Sequence, residues 1–367
     1  MTTVLFAGGG TGGHLMPALA IADAMVSLDP RIRPFFVGSE RGVEANVLPQ
    51  RPWPYLLLPL QPIRRRQWWK NVALPLALYR VVRRVEELVS SQRPGLVVGT
   101  GGYVAGPVVW TALRAGVPGV LQEQNAFPGI ATRRLTAGVR QVHLGFPEAR
   151  RFLRPGPKTE ILDSGNPIQP PPFPKPDPAA ARSRLGLAPD RPTILVVGGS
   201  QGALSVNLAV DAAIAGGVWP AGVQLIWQTG AGTYDRFAGR DDHSRILVRP
   251  FLDPVAEAYA AADLVVARAG AMTIAELCAW GLPAILVPLP TAAAGHQLTN
   301  AKALADARAA VLLEQRFATG SRLSETIVSL LDDPARMAGI AAAMRVRARP
   351  DAASVIAANA LRVMSQA

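Results

Sequence analysis

One cysteine, four histidines and no Asp-x-Asp pair occur in 367 residues. The lone thiol, Cys278, excludes an intrachain disulfide and fits a reducing compartment. It lies in a helix-like apolar run, residues 272–280, with no base beside it, so its expected role is packing. Scattered histidines without an acidic pair give no metal-ligand spacing, and no metal and no cofactor are expected. Charged residues make up only 17% and apolar ones 49%, which excludes a disordered chain. No cationic segment precedes an apolar core at the start, and glycines arrive by residue 8, so no signal peptide is expected. Two long uncharged stretches, 95–113 and 277–301, are broken by Gly99, Gly101, Gly102, Gly106 and Pro107, and by Pro283, Pro288 and Pro290. They read as buried strand, loop and helix, not as membrane spans. Acids are scarce beside bases, 26 against 38, and the net charge of +12 points to phosphates, nucleic acid or an acidic membrane surface.

What the chain has in quantity is glycine after short apolar runs. Val4-Leu5-Phe6-Ala7 leads into Gly8-Gly9-Gly10-Thr11-Gly12-Gly13-His14. The same device returns at Ile194-Leu195-Val196-Val197, followed by Gly198-Gly199-Ser200-Gln201-Gly202-Ala203. A strand, a glycine loop and a helix place backbone N–H groups around an anion. Gly8, Gly10 and Gly13 also fit G-x-G-x-x-G, and Glu40 lies near where a dinucleotide enzyme would hold a ribose, so a dehydrogenase stays open on this motif alone.

Apolar runs alternate with helix-length segments throughout. In the first half they fall at 4–7, 35–38, 55–60, 95–99, 117–121, 141–146 and 160–162, and in the second at 193–197, 224–227, 245–248, 264–267, 284–287 and 310–313. Short strands between helices predict parallel sheets covered on both faces. Seven prolines between 166 and 178 exclude a helix or central strand there and mark a linker. The expected organisation is therefore an N-terminal Rossmann-like domain, 1–165, a linker, 166–178, a second Rossmann-like domain, 179–345, and a closing apolar-striped helix within 346–367 that packs back on the first domain. The fold class is α/β, two parallel-sheet domains facing a cleft, with ligands at the carboxyl ends of the strands.

Several motifs stand at those ends. His14 is expected at the mouth of a helix beginning near Pro17, where the helix dipole disfavours imidazolium and leaves a neutral base. Gly101, Gly102 and Tyr103 form a third glycine loop, suited to close approach by a diphosphate. Gln122-Glu123-Gln124-Asn125 ends an apolar run with side chains that suit sugar hydroxyls, although plain loop polarity explains the amides equally well. Ala271-Met272-Thr273-Ile274-Ala275-Glu276 opens a helix after a strand. Its N-terminus is an anion site, and Glu276 suits ribose hydroxyls or simply offsets the dipole.

One stretch is basic and aromatic. Arg64-Arg65-Arg66-Gln67-Trp68-Trp69-Lys70 precedes an apolar segment and then Arg80, Arg83 and Arg84. Paired tryptophans beside cations suit an anionic lipid interface, with nucleic acid as the competing reading.

Together the segments GGGTGGHLMPALAIAD, VVGTGGYVAGP, QEQNAFPG, SGNPI, VVGGSQGALSVN, ARAGAMTIAELCAWGLPAILVP and HQLTNA resemble, in order, the MurG family of peptidoglycan N-acetylglucosaminyltransferases. They run from residue 4 to about 303, most of the chain. The resemblance implies a GT-B fold and an inverting transfer of GlcNAc from UDP-GlcNAc to the C4 hydroxyl of undecaprenyl-diphospho-MurNAc-pentapeptide (lipid I), giving lipid II. It implies that Thr11, Gly12, Gly13 and Asn125 touch the donor, and that Ser200, Leu252 and Ala271, Met272, Thr273, Ile274, Ala275 and Glu276 hold UDP. Gln297 would stand nearer the sugar, Phe251 would cover the uracil, and His14 would be the base. Partners would be UDP-GlcNAc, lipid I and an anionic membrane surface reached through residues 64–70, not nucleic acid, with other cell-wall or division proteins as further candidates. The place implied is the cytoplasmic side of the cell membrane, as a peripheral protein. Three positions depart from the family pattern: Gln169 where a basic residue is common, Gln122 where a His is usual, and a loop at 291–295 without its usual acid.

Overall fold

A computed structural model describes residues 1–60, 74–199 and 201–366. Arg64, Arg65, Arg66, Trp68, Trp69, Lys70 and Ser200 lie outside the described residues. The chain divides into two compact units, residues 1–169 with 351–367, and residues 170–350.

The first unit is built on a seven-stranded parallel sheet. Its strands are β1 (Thr2–Gly8), β2 (Ile32–Ser39), β3 (Tyr55–Leu58), β4 (Leu96–Gly101), β5 (Gly119–Glu123), β6 (Gln141–Leu144) and β7 (Glu160–Leu162). They lie in the order β3-β2-β1-β4-β5-β6-β7. Successive residues alternate between two cores. Leu5, Ala7, Val97 and Leu121 face one, while Val4, Phe6, Val98 and Val120 face the other. A sheet buried on both sides has no polar face, and its strands read as unbroken apolar runs. The last helix, Ala352–Ser365, supplies Ile356, Ala357, Ala360 and Val363 to the second of these cores and packs against the helix Gly12–Leu28. Burying side chains such as Ile356 and Val363 stabilises that closure by roughly 1.5–3 kcal/mol each.

The second unit repeats the plan with β8 (Thr193–Val197), β9 (Gln224–Gln228), β10 (Ile246–Arg249), β11 (Leu264–Ala267), β12 (Ala284–Leu286) and β13 (Val311–Leu312). Their order is β10-β9-β8-β11-β12-β13, again all parallel. In both sheets the chain reverses direction of travel beside the first strand, between β1 and β4 and between β8 and β11. At such a switch point the loops leave to opposite sides and open a crevice.

The proline-rich segment leads into the helix Pro178–Arg184, so the extended run ends one residue earlier than proline density alone suggests. Proline at the first helical position loses no bond, and Asp177 caps the helix by accepting the Ala180 N–H at 2.8 Å. No helix among the described residues is long and apolar enough to cross a membrane.

Candidate active site

The glycine motifs stand at the two switch points. In the first unit the loops after β1 and β4 carry Gly8–His14 and Gly101–Tyr103. In the second unit those after β8 and β11 carry the Gly198 loop and the start of the helix Ala271–Trp280.

His14 does not precede its helix, as Pro17 suggested; the helix Gly12–Leu28 starts two residues before it. Thr11 is the extended N-cap, and Pro17 lies inside, lacking the N–H that would bond the Gly13 carbonyl. His14 thus sits in the first turn, half-buried, with Nδ1 3.1 Å from the Thr11 hydroxyl. Its carbonyl accepts the Thr100 hydroxyl at 2.8 Å. Its ring lies against Gly101, where a Cβ would stand 2.7 Å from His14 Cδ2. The next glycine, Gly102 (φ +80°), begins the helix Gly102–Arg114, and a Cβ there would come within 2.0 Å of the Gly9 carbonyl oxygen. Only glycine lets these two loops touch.

An anion already occupies the first loop. The carboxylate of Glu44, fully buried, accepts the Gly10 N–H at 2.9–3.0 Å and both the N–H and hydroxyl of Ser39 at 2.8 Å. Gly9, Gly38 and Gly42 clear its path, since a Cβ on any of them would fall within 2.5 Å of its side chain. Glu40, the residue weighed as a ribose acceptor, is exposed instead. No periodicity points to Glu44, and the glycines Gly38 and Gly42 flank Glu40 in sequence instead.

The run Gln122–Asn125 divides. Gln122, Glu123 and Gln124 are buried and internally bonded. Gln122 donates to Asn166 at 2.9 Å, Gln124 donates to the Thr100 carbonyl at 2.7 Å and also meets the Gln122 amide oxygen, and Glu123 accepts from Gly129 N–H at 2.9 Å and Thr132 at 2.7 Å. They brace the loop and do not face sugar hydroxyls. Asn125 is half-buried, its N–H 3.1 Å from Glu123 Oε1.

In the second unit, Ala271 and Ile274 are buried, while Met272, Thr273, Ala275 and Glu276 are partly exposed on the other side of their helix. Glu276 stands in the second turn and accepts the Tyr259 phenol at 2.7 Å. Burial raises the Glu276 carboxyl above its ordinary range, with the Tyr259 bond opposing that rise. Leu252 is buried and donates its N–H to Gln228 Oε1 at 3.1 Å; Phe251 beside it is exposed. The other end of the buried Gln228 amide donates to the Gly199 carbonyl at 3.0 Å, tying the Gly198 loop to Leu252. Gln297 opens the helix His296–Asp306 and accepts the Leu289 N–H at 2.9 Å.

Arg268, which the motif contained but the chemistry did not single out, spans the carboxyl end of this sheet. Its guanidinium is buried and donates to the Val287 carbonyl at 3.0 Å, the Ser205 hydroxyl at 2.8 Å and Gln315 Oε1 at 2.8 Å. All three partners are neutral. Burial lowers its pKa, yet a guanidinium stays charged, so a positive charge is held at the switch point. Among the described residues no cluster of His, Cys, Asp or Glu could hold a metal. Cys278 is buried and its thiol is pushed up to about 12, consistent with packing.

Residues 4–143 match the glycosyltransferase family 28 N-terminal domain and residues 193–356 the glycosyltransferase family 28 C-terminal domain. A relative from Chlorobium phaeobacteroides, 39% identical over 98% of this chain and 99% of its own, is named UDP-N-acetylglucosamine–N-acetylmuramyl-(pentapeptide) pyrophosphoryl-undecaprenol N-acetylglucosamine transferase. One from Prosthecochloris aestuarii with the same name is 41% identical over 95% of this chain and 96% of its own. The crystal structure of Acinetobacter baumannii MurG superposes with a TM-score of 0.78 at 26% identity, covering 98% of this chain and 99% of that one.

Proposed function

The chain belongs to glycosyltransferase family 28, and from that premise we infer that it moves GlcNAc from UDP-GlcNAc to the MurNAc C4 hydroxyl of undecaprenyl-diphospho-MurNAc-pentapeptide, making lipid II. The observation that carries this reading is the placement of its motifs at the switch points of two parallel sheets, where a doubly wound fold binds ligands.

The second unit is the donor half. The amides at the start of the helix Ala271–Trp280 and the glycine loop containing Ser200 receive the diphosphate. Arg268 adds positive charge behind them, which supports the leaving group. Glu276 accepts the ribose hydroxyls, Leu252 and Phe251 flank the uracil, and Gln297 reaches toward the sugar.

The first unit is the acceptor half. The acceptor oxygen forms a bond to the anomeric carbon as the bond from that carbon to the UDP oxygen breaks, and the electron pair leaves with UDP. Attack from the opposite face inverts the centre. The hydroxyl proton passes to His14 Nε2. That role requires the tautomer with Nδ1–H donated to Thr11 Oγ1, which the 3.1 Å spacing allows. Thr11, Gly12, Gly13 and Asn125 approach the donor sugar, and Gly101–Tyr103 border the acceptor.

The acceptor is lipid-borne, so the protein works peripherally at an anionic membrane surface. Beyond the basic residues 64–70, the neighbouring helices Leu74–Gln92, Gly102–Arg114 and Ile130–Leu135 expose Leu76, Leu78, Tyr79, Trp110 and Ile130. Arg80, Arg83, Arg84, Arg133 and Arg134 are exposed on the same helices, and Arg114 stacks 4.8 Å over Trp110. Apolar side chains rimmed by cations suit lipid headgroups. Titration with UDP and with NAD separates this reading from a dehydrogenase: UDP binds, and binding of NAD without UDP would overturn it.

A further inference from the structure

The first glycine loop has the form of a phosphate cradle, but its anion is part of the protein. Glu44 is fully buried and makes no ion pair among the described residues; its charge is met by the Gly10 and Ser39 N–H groups and the Ser39 hydroxyl. A carboxylate only accepts, so the single Ser39 hydroxyl hydrogen is committed to it. The Tyr103 phenol, 2.7 Å from Ser39 Oγ, must then be the donor of that pair. Glu44 therefore holds the loop after β1 directly, through Gly10, and the loop after β4 at one remove, through Ser39 and Tyr103. The two loops also touch at Gly9 and Gly102, and His14 stands four residues beyond Gly10 with its ring against Gly101.

We propose that Glu44 is a positioning residue for His14: its carboxylate fills the anion pocket of the first glycine loop, closes that loop to substrate phosphate, and fixes the two loops between which the imidazole stands. This rests on the reading of His14 as the base. Losing the carboxylate would leave the Gly10 and Ser39 donors without their partner and release the Tyr103 hydroxyl, letting both loops shift. Displacing a reacting group by about 1 Å costs on the order of 100-fold in rate.

The test is steady-state transfer by the full chain carrying Glu44→Gln, which keeps the volume, and Glu44→Ala, which opens the pocket, each alone and combined with His14→Ala. Glu44→Ala should lower kcat by about 100-fold, and Glu44→Gln by less. The UDP dissociation constant should stay within about twofold, because the donor half is untouched. Formate, small enough to refill the pocket, should restore part of the Glu44→Ala rate. In the His14→Ala background either Glu44 change should cost little more, the mark of residues acting as one unit. Turnover near the parent level in both Glu44 variants, with His14→Ala impaired, overturns this inference alone. Losses that add fully to those of His14→Ala, or a parallel loss of UDP affinity, overturn it as well. Turnover intact in His14→Ala overturns the base assignment and this inference with it.

Discussion

The buried Tyr259 donates its phenolic hydrogen to the partly exposed Glu276 across 2.7 Å. Burial, then the Glu276 charge and the shared hydrogen bond, hold the Tyr259 hydroxyl well above its ordinary range, so it remains a donor at any physiological pH. One Glu276 oxygen is thereby fixed, and the carboxylate is oriented before any ribose arrives. Preorganisation of this kind lowers the cost of binding.

Glu276→Gln should weaken UDP binding about tenfold or more, since a hydrogen bond to a charged acceptor is worth roughly 1.5–3 kcal/mol. The same change should raise thermal stability at neutral pH. The folded carboxyl is raised, so the folded state holds its proton more tightly than the unfolded chain, and stability falls as pH climbs from the ordinary carboxylate range through the raised value. The advantage of the variant should vanish in acid below the ordinary range. Calorimetric titration and melting curves over pH check both; a variant less stable at neutral pH would contradict the desolvation argument.

Arg268→Met should weaken UDP about tenfold while leaving uridine unchanged. A unit charge acting over about 10 Å at an effective dielectric of 20 is worth about 1.7 kcal/mol, and only the diphosphate feels it. Equal losses for UDP and uridine would show that Arg268 merely braces the loops through Ser205, Val287 and Gln315.

His143 in β6 should make the first unit acid-sensitive. It is buried, with Nδ1 2.7 Å from Ser164 Oγ, and burial, aided by the Arg362 charge, brings its pKa down to about 4. The unfolded chain takes up a proton near pH 6.5 that the folded one refuses until about 4. Stability is therefore full above the unfolded value and declines by about 3 kcal/mol as pH falls through that window. Denaturant melts of His143→Gln should show a correspondingly flatter decline between these limits.

Tyr79→Ser with Trp110→Ser should reduce partition onto anionic vesicles roughly 30-fold, equivalent to about 2 kcal/mol of lost aromatic burial. Turnover on a detergent-dispersed acceptor should be unaffected. Undiminished vesicle binding would place the docking surface elsewhere.

Much of this was legible beforehand. Every strand lies under an apolar run noted in the sequence, because a two-faced parallel sheet leaves its strands without polar interruption and glycine or proline marks their ends. The start of the His14 helix was not, because Gly12, Gly13 and Pro17 read as breakers. The inward turn of Gln122 and Gln124 was hidden for a related reason: where both faces of a sheet are buried, alternation does not say whether a terminal amide faces the site or the interior. Glu44 and Arg268 depend on pairings 34 and 63 residues apart, with Gly10 and Ser205, that no local pattern encodes.

The most direct test of the central claim is to supply radiolabelled UDP-GlcNAc with lipid I, and in parallel with a diacylglycerol, and to follow label into lipid for the parent chain and His14→Ala. The account predicts a β-linked GlcNAc on lipid I alone, with His14→Ala losing most turnover while its UDP affinity changes little. Label entering diacylglycerol and not lipid I would contradict the acceptor, and undiminished turnover in His14→Ala would contradict the base.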